Sequence, residues 1–251
     1  METIKPEASE QALARSALSP WAGLALALLA ASVTFVAICA VHPIFQVPEE
    51  FHIAGIGAPT ERYVAHQREQ DKVDCRHAML YVGGLGLLVA IALGVGEATC
   101  RKSWLATLFA APLGALGGAI GALLGSLAHV YVRENFGQAE LDHTIGTQLG
   151  LGLPLGMGVG LGVGLASRSL TGALKTAFAG LAAGAVAAAL YPVLVSILLP
   201  SASTDALLPD QTSSQMLWLT VFAGLLGAII PVASRRRTAP LTQSPPTKSP
   251  P

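Results

Sequence analysis

Six long apolar stretches constrain this chain more than any other feature of its sequence. A helix needs about 20 mostly apolar residues to cross the roughly 30 Å hydrocarbon core of a membrane, and its backbone polar groups must pair within it. Charged residues make up 12% of the chain, about half the share typical of soluble domains. The sequence therefore predicts an all-α, polytopic transmembrane bundle of six spans: 21–41, 79–98, 104–132, 145–166, 177–199 and 217–233.

The placement of lysine and arginine predicts the orientation of these spans, because both residues are enriched in cytoplasmic loops. With the N-terminus inside, ten of the fifteen lysines and arginines fall in inner segments, including the triplet Arg235 to Arg237. We therefore expect a cell-membrane protein with both termini cytoplasmic. Its parts would be an N-terminal segment 1–20, a six-span domain 21–234 with an outer loop at about 42–78, and a disordered proline-rich tail 235–251.

The chain contains an internal repeat that becomes visible when the sequence is shifted by 66 residues. Nearly a third of the 48 aligned pairs between residues 77 and 124 are then identical without a gap, including His77 with His143 and Gly86 with Gly152. The alternative explanation is coincidence in a composition rich in Gly, Ala and Leu. A true repeat would be a duplicated helical hairpin whose two copies are related by an axis along the membrane normal.

Glycine recurs every fourth residue on three of the spans, a pattern known as a glycine zipper. Residues four apart share one helix face, so each run forms a smooth ridge that a neighbouring helix can approach closely. Three interpretations remain open: packing within one bundle, self-association through a ridge that faces lipid, and a pore lined by glycine backbone. The runs are Gly117, Gly121 and Gly125; Gly152, Gly156, Gly160 and Gly164; and Gly180 and Gly184.

Histidine supplies the only candidate site, since all six histidines fall on the predicted outer side. Imidazole and carboxylate groups are ligands for borderline metal ions. We therefore consider a metal site formed by His77, His129, His143 and Asp142, with Cys75 close to it in sequence. The alternative is a set of scattered histidines that are solvated at the membrane interface.

The charged segment from Glu61 to Arg76 contains neither glycine nor proline. It could therefore form a helix that continues into the second span. His66 and His77 are 11 residues apart, which would place them about 20° apart around such a helix.

The sequence leaves several functions open and names no cofactor. It contains no nucleotide-binding or catalytic motif, and its formal net charge of zero gives no reason to expect nucleic acid. The leading hypothesis is a structural or partner-binding component of the bilayer, forming a homo-oligomer or joining other membrane proteins, without enzymatic chemistry. One alternative is a passive or facilitated carrier or channel for a small solute or metal ion, supported by the repeat and by Pro112, Pro154, Pro192 and Pro231 inside the spans. Another is a membrane metalloprotein or enzyme that uses the outer histidines.

Overall fold

Long helices make up the structure, a computed structural model that describes residues 18–41, 43–51, 60–101, 104–136, 141–165, 170–202 and 206–235. Six of them are long and apolar enough to cross a membrane, so the predicted all-α bundle of six spans is confirmed. By length and composition the chain is a multi-pass membrane protein. The helices are α1 (Pro20–Val41), α2 (Thr60–Arg101), α3 (Leu105–Phe136), α4 (Leu141–Leu165), α5 (Leu170–Leu198) and α6 (Thr212–Ser234). The segments 1–17 and 236–251 lie outside the described residues.

Helix α2 is longer than a membrane crossing requires. Its 42 residues extend over about 63 Å at 1.5 Å per residue, twice the thickness of the hydrocarbon. Charged side chains are concentrated in its first half, before Ala78, and the apolar residues that could lie in lipid follow. The segment predicted to lead as a helix into the second span does so, and it projects beyond the apolar part of the bundle.

The six helices form a closed ring in which every helix packs against its two neighbours in sequence, and α6 returns to pack against α1. Helices α2, α4 and α6 also contact one another across the middle. More than half of the most apolar window is buried in α2 and α4, at 56% and 61%, compared with 28% in α1. The even-numbered helices therefore form the centre of the bundle, and the odd-numbered ones present apolar side chains outward.

The glycine ridges pack inside this bundle. A Cβ atom added at Gly117 would lie 2.6 Å from the carbonyl oxygen of Pro154 and 2.7 Å from the Cα of Gly158. Between α4 and α5, Gly156 lies directly against the backbone of Gly180. Helices touch at these points through backbone atoms, as expected where association in lipid depends on small residues. Of the three interpretations of the ridges, this arrangement is packing within one bundle.

The two hairpins of the repeat pack in the same register at one end only. In the first hairpin, a Cβ at Gly94 would contact the Cβ of Ala110 at 3.1 Å, in the contact of α2 with α3. In the second, Gly160 contacts Thr176, and these residues are 66 positions later in both helices. Further along, Gly86 packs on Gly114, whereas its counterpart Gly152 packs on Gly184, one helical turn beyond the position that the repeat predicts. A common origin of the two copies remains a prediction.

Candidate functional site

His77 lies at the start of the apolar part of α2 and connects this helix to the segment that contains Phe45. Its side chain is 8% exposed, and its Nε2 atom accepts a hydrogen bond of 3.0 Å from the backbone N–H of Phe45. Its ring stacks on Tyr81 at a centroid distance of 5.8 Å and also contacts the ring of Phe45. Because Nε2 accepts this bond, the imidazole is neutral, and Nδ1 carries the ring proton.

His66, about three turns earlier on α2, also makes a hydrogen bond to the backbone of the preceding segment. Its Nδ1 atom lies 2.9 Å from the carbonyl oxygen of Phe51 and donates a hydrogen bond to it. The two histidines therefore hold residues 43–51, which we call the strap, along the projecting part of α2. Their alignment on one helix was predicted from the spacing, whereas their backbone partners were not.

A polar cavity of about 340 Å³ lies where the projecting part of α2, the end of α3 and the segment before α6 meet. It is open on one side and sits at the end of the apolar segments, away from the middle of the bundle. The side chains with polar groups that line it include Gln70, Asp74, His77, Tyr81, His129 and Asp210.

The cavity brings together two of the four predicted metal ligands, His77 and His129. His143 is not among its lining residues, and the side chain of Asp142 lies outside the described part of the structure. Among the side chains that the structure describes, no three His, Cys, Asp or Glu groups lie close enough to hold a metal ion. The metal site that would include Asp142 remains a prediction.

Asp74 places a carboxylate on the α2 side of the cavity. It accepts a hydrogen bond of 2.9 Å from Gln70, which also lines the cavity. Asp74 precedes the apolar part of α2, and burial raises the pKa of its carboxyl above the ordinary range, mainly through loss of hydration. Nearby, both guanidinium nitrogens of Arg133 donate to the carboxylate of Asp71 at 2.6 Å. This bidentate pair links α2 to α3 and balances the charge of Arg133.

Below the cavity the bundle is closed by aromatic packing. The indole N–H of Trp218 donates a hydrogen bond of 2.8 Å to Oε1 of Gln148, and both side chains are buried. The ring of Trp218 packs on Phe222 with centroids 4.5 Å apart. This hydrogen bond joins α4 to α6 in the buried interior of the bundle. A small apolar space of about 20 Å³, lined in part by Tyr81 and Trp218, separates this packing from the cavity.

A second buried acid lies at the opposite end of α2. Glu97 is 1% exposed, and the hydroxyl of Ser234 donates a hydrogen bond to it. The side chain of Arg101, four residues further along α2, lies outside the described residues. The contact with Ser234 joins α2 to α6 at this end of the bundle.

Chemically, the cavity offers hydrogen-bond donors and acceptors, two carboxylates and an aromatic ring, which is a composition suited to binding a polar ligand. Asp210 and Gln215 lie on its far wall, and no feature of the sequence marked either of them as a site residue. Both residues line the same cavity as Asp74, although more than 130 residues separate them from it in the sequence. Comparison of the chain with protein-family models, curated proteins and solved structures gives no match.

Proposed function

We propose that this chain is a multi-pass membrane component that binds a small solute or a partner at the polar cavity and carries out no chemistry of its own. The observation that supports this function is the cavity itself. Its volume of about 340 Å³ falls within the range of pockets that hold small molecules. Polar groups from three separate parts of the chain converge on it.

The packing below the cavity supports binding rather than passage. Backbone contacts such as that of Gly156 with Gly180 leave no space between α4 and α5, and Trp218 is buried between the cavity and the centre. A solute could cross only if these contacts separated. The apolar outer surfaces of α1, α3 and α5 would contact lipid or other membrane proteins.

The proposal includes an orientation. The excess of lysine and arginine in the predicted inner segments supports cytoplasmic termini in the cell membrane. The cavity lies at the end of α2 that is then outside, so it would receive its ligand from the external medium.

Cysteine accessibility tests the function without knowledge of the ligand. We would replace Cys39, Cys75 and Cys100 with serine, introduce Gln215→Cys in the cavity wall, and treat right-side-out and inside-out vesicles with a membrane-impermeant maleimide. The expected result is labelling of Gln215→Cys from the outer side alone. A variant that retains only Cys100 is the matched reference and should react from the inner side alone. Failure of Gln215→Cys to react from the outer side would contradict the proposal.

A facilitated carrier is the second candidate, and one observation favours it. Helices α3 to α6 each contain a proline, which removes a backbone hydrogen bond and marks a place where a helix can bend. A carrier would expose its site to the two sides in turn. Labelling of Gln215→Cys from both sides would therefore favour the carrier and reject the binding component.

A further inference from the structure

We propose that the cavity binds a small organic cation that carries a primary ammonium group. This inference rests on the proposed function and specifies the chemical class of its ligand. Three features of the cavity support it: its charge, its size and its aromatic wall.

The charge of the cavity wall is negative. Asp74 and Asp210 both line the cavity, and none of the described residues that line it is lysine or arginine. Two cations near the cavity in the fold are paired, because Arg133 binds Asp71 and Lys72 binds Glu69. Two carboxylates therefore face the same space without a cationic side chain among them, and a cation entering it would be attracted to both.

The size of the cavity favours an organic ion over a metal ion. A metal held by imidazole requires ligand atoms about 2.0 to 2.2 Å from one point, and no three candidate ligands among the described residues meet in that way. The volume of about 340 Å³ instead suits a molecule of several heavy atoms. A primary ammonium has three N–H donors, which fits acceptors spread over the two walls.

The ring of Tyr81 gives the ligand an orientation. It lines both the polar cavity and the small apolar space beneath it. The apolar space of about 20 Å³ beyond this ring can receive a methyl group but nothing much larger. The ligand would therefore place its ammonium between Asp74 and Asp210 and a short alkyl end near Tyr81.

Binding of propylamine and of 1-propanol tests the charge requirement directly. The two probes have the same length, and propylamine is ionised at neutral pH because alkylammonium groups have a pKa near that of lysine, about 10.4. Equilibrium dialysis of each radiolabelled probe against the full chain in nanodiscs, corrected with empty nanodiscs, gives the affinities. Propylamine should bind at least about tenfold more tightly than 1-propanol, the ratio expected for hydrogen bonds to a charged group.

Two conservative variants locate the interaction. Asp74→Asn and Asp210→Asn should each weaken propylamine binding by about tenfold or more and leave 1-propanol unchanged. Asp210 is exposed, so its substitution tests the proposal even if Asp74→Asn fails to fold. The matched control is Glu61→Gln, which removes an exposed carboxylate from the start of the same helix and should not change the affinity.

Other results would overturn the inference in distinguishable ways. Equal binding of the two probes, both lost when Ala206→Phe fills the cavity, would leave the proposed function standing and reject the ammonium specificity. Propylamine binding that both aspartate variants retain would also reject the inference. Tight binding of Zn²⁺ that requires His77 and His129, without binding of propylamine, would replace it with the metal site.

Discussion

Adding one methyl group to α4 tests whether helices meet through their backbones. Gly156 faces the carbonyl oxygen of Gly180 on α5, and a Cβ atom there would overlap that oxygen. Gly146 lies on the same helix, but a Cβ atom there would have no atom within 4 Å. Gly156→Ala and Gly146→Ala therefore make the same chemical change in the same helix and differ in the space available.

The expected difference between these two variants follows from two opposing effects. Alanine favours a helix over glycine by about 0.5 to 1 kcal/mol, and this gain applies at both positions. Gly156→Ala must also separate α4 from α5, because a carbon atom approaches a carbonyl oxygen no closer than about 3.3 Å. Overpacking of this kind costs about 1 to 3 kcal/mol. The free energy of unfolding should thus fall for Gly156→Ala and stay constant or rise slightly for Gly146→Ala.

Thermal unfolding of the full chain in detergent measures the effect. Tryptophan fluorescence is a suitable signal, because Trp218 is buried against Gln148 of α4. Because the gain in helix propensity is common to both variants, a cost of about 1 to 3 kcal/mol corresponds to a Tm about 2 to 12 °C lower for Gly156→Ala than for Gly146→Ala. Gly121→Leu, which would overlap the backbone of Leu151 at the contact of α3 with α4, should lower Tm further. Equal Tm values for Gly156→Ala and Gly146→Ala would refute the backbone contact between α4 and α5.

Three further predictions concern the topology, the strap and the closed core. In intact cells, an impermeant maleimide should label native Cys75 and spare Cys100, which lie near opposite ends of the apolar part of α2; the reverse pattern would invert the orientation. His77→Ala removes one hydrogen bond to the strap, so hydrogen exchange at the strap should accelerate about fivefold, as expected for about 1 kcal/mol, and unchanged exchange would show that the strap is held in another way. Trp218→Phe leaves Gln148 buried without this donor and should lower the free energy of unfolding by about 1 to 3 kcal/mol; restoration by adding Gln148→Leu would confirm the cause, and no loss in the single variant would contradict it.

The six spans could be predicted because a long apolar stretch has one stable conformation in lipid. The continuation of α2 to Thr60 could also be anticipated, since nothing between Glu61 and Arg76 breaks a helix. The packing of α6 against α1 could not be predicted from the sequence. It depends on close approaches between α1 and α6, such as the one where a Cβ atom at Gly23 would lie 2.5 Å from the ring of Pro231, and no periodic pattern marks which two distant glycine-containing faces will meet.

The candidate site was predictable only in part. Histidine placement directed attention to the end of the bundle where His77 and His129 line the same cavity, and the metal site itself stays a prediction. The hydrogen bond from Phe45 to His77 could not be read from the sequence, because the path of an irregular segment decides which backbone groups point at a side chain. Asp210 was missed because it lies in a connection, and its position depends on how α5 and α6 are joined.

Of the three central helices, α2, α4 and α6, helix α2 contains no proline, so no proline bends it between its two ends. Its N-terminal arm carries the strap and one wall of the cavity, and its C-terminal arm carries Glu97, which is hydrogen bonded to α6 through Ser234. If α2 moves as one rigid rod, a ligand that draws the N-terminal arm toward Asp210 displaces the Glu97 end in the opposite direction. Bending at the consecutive glycines Gly83 and Gly84 would disconnect the two arms.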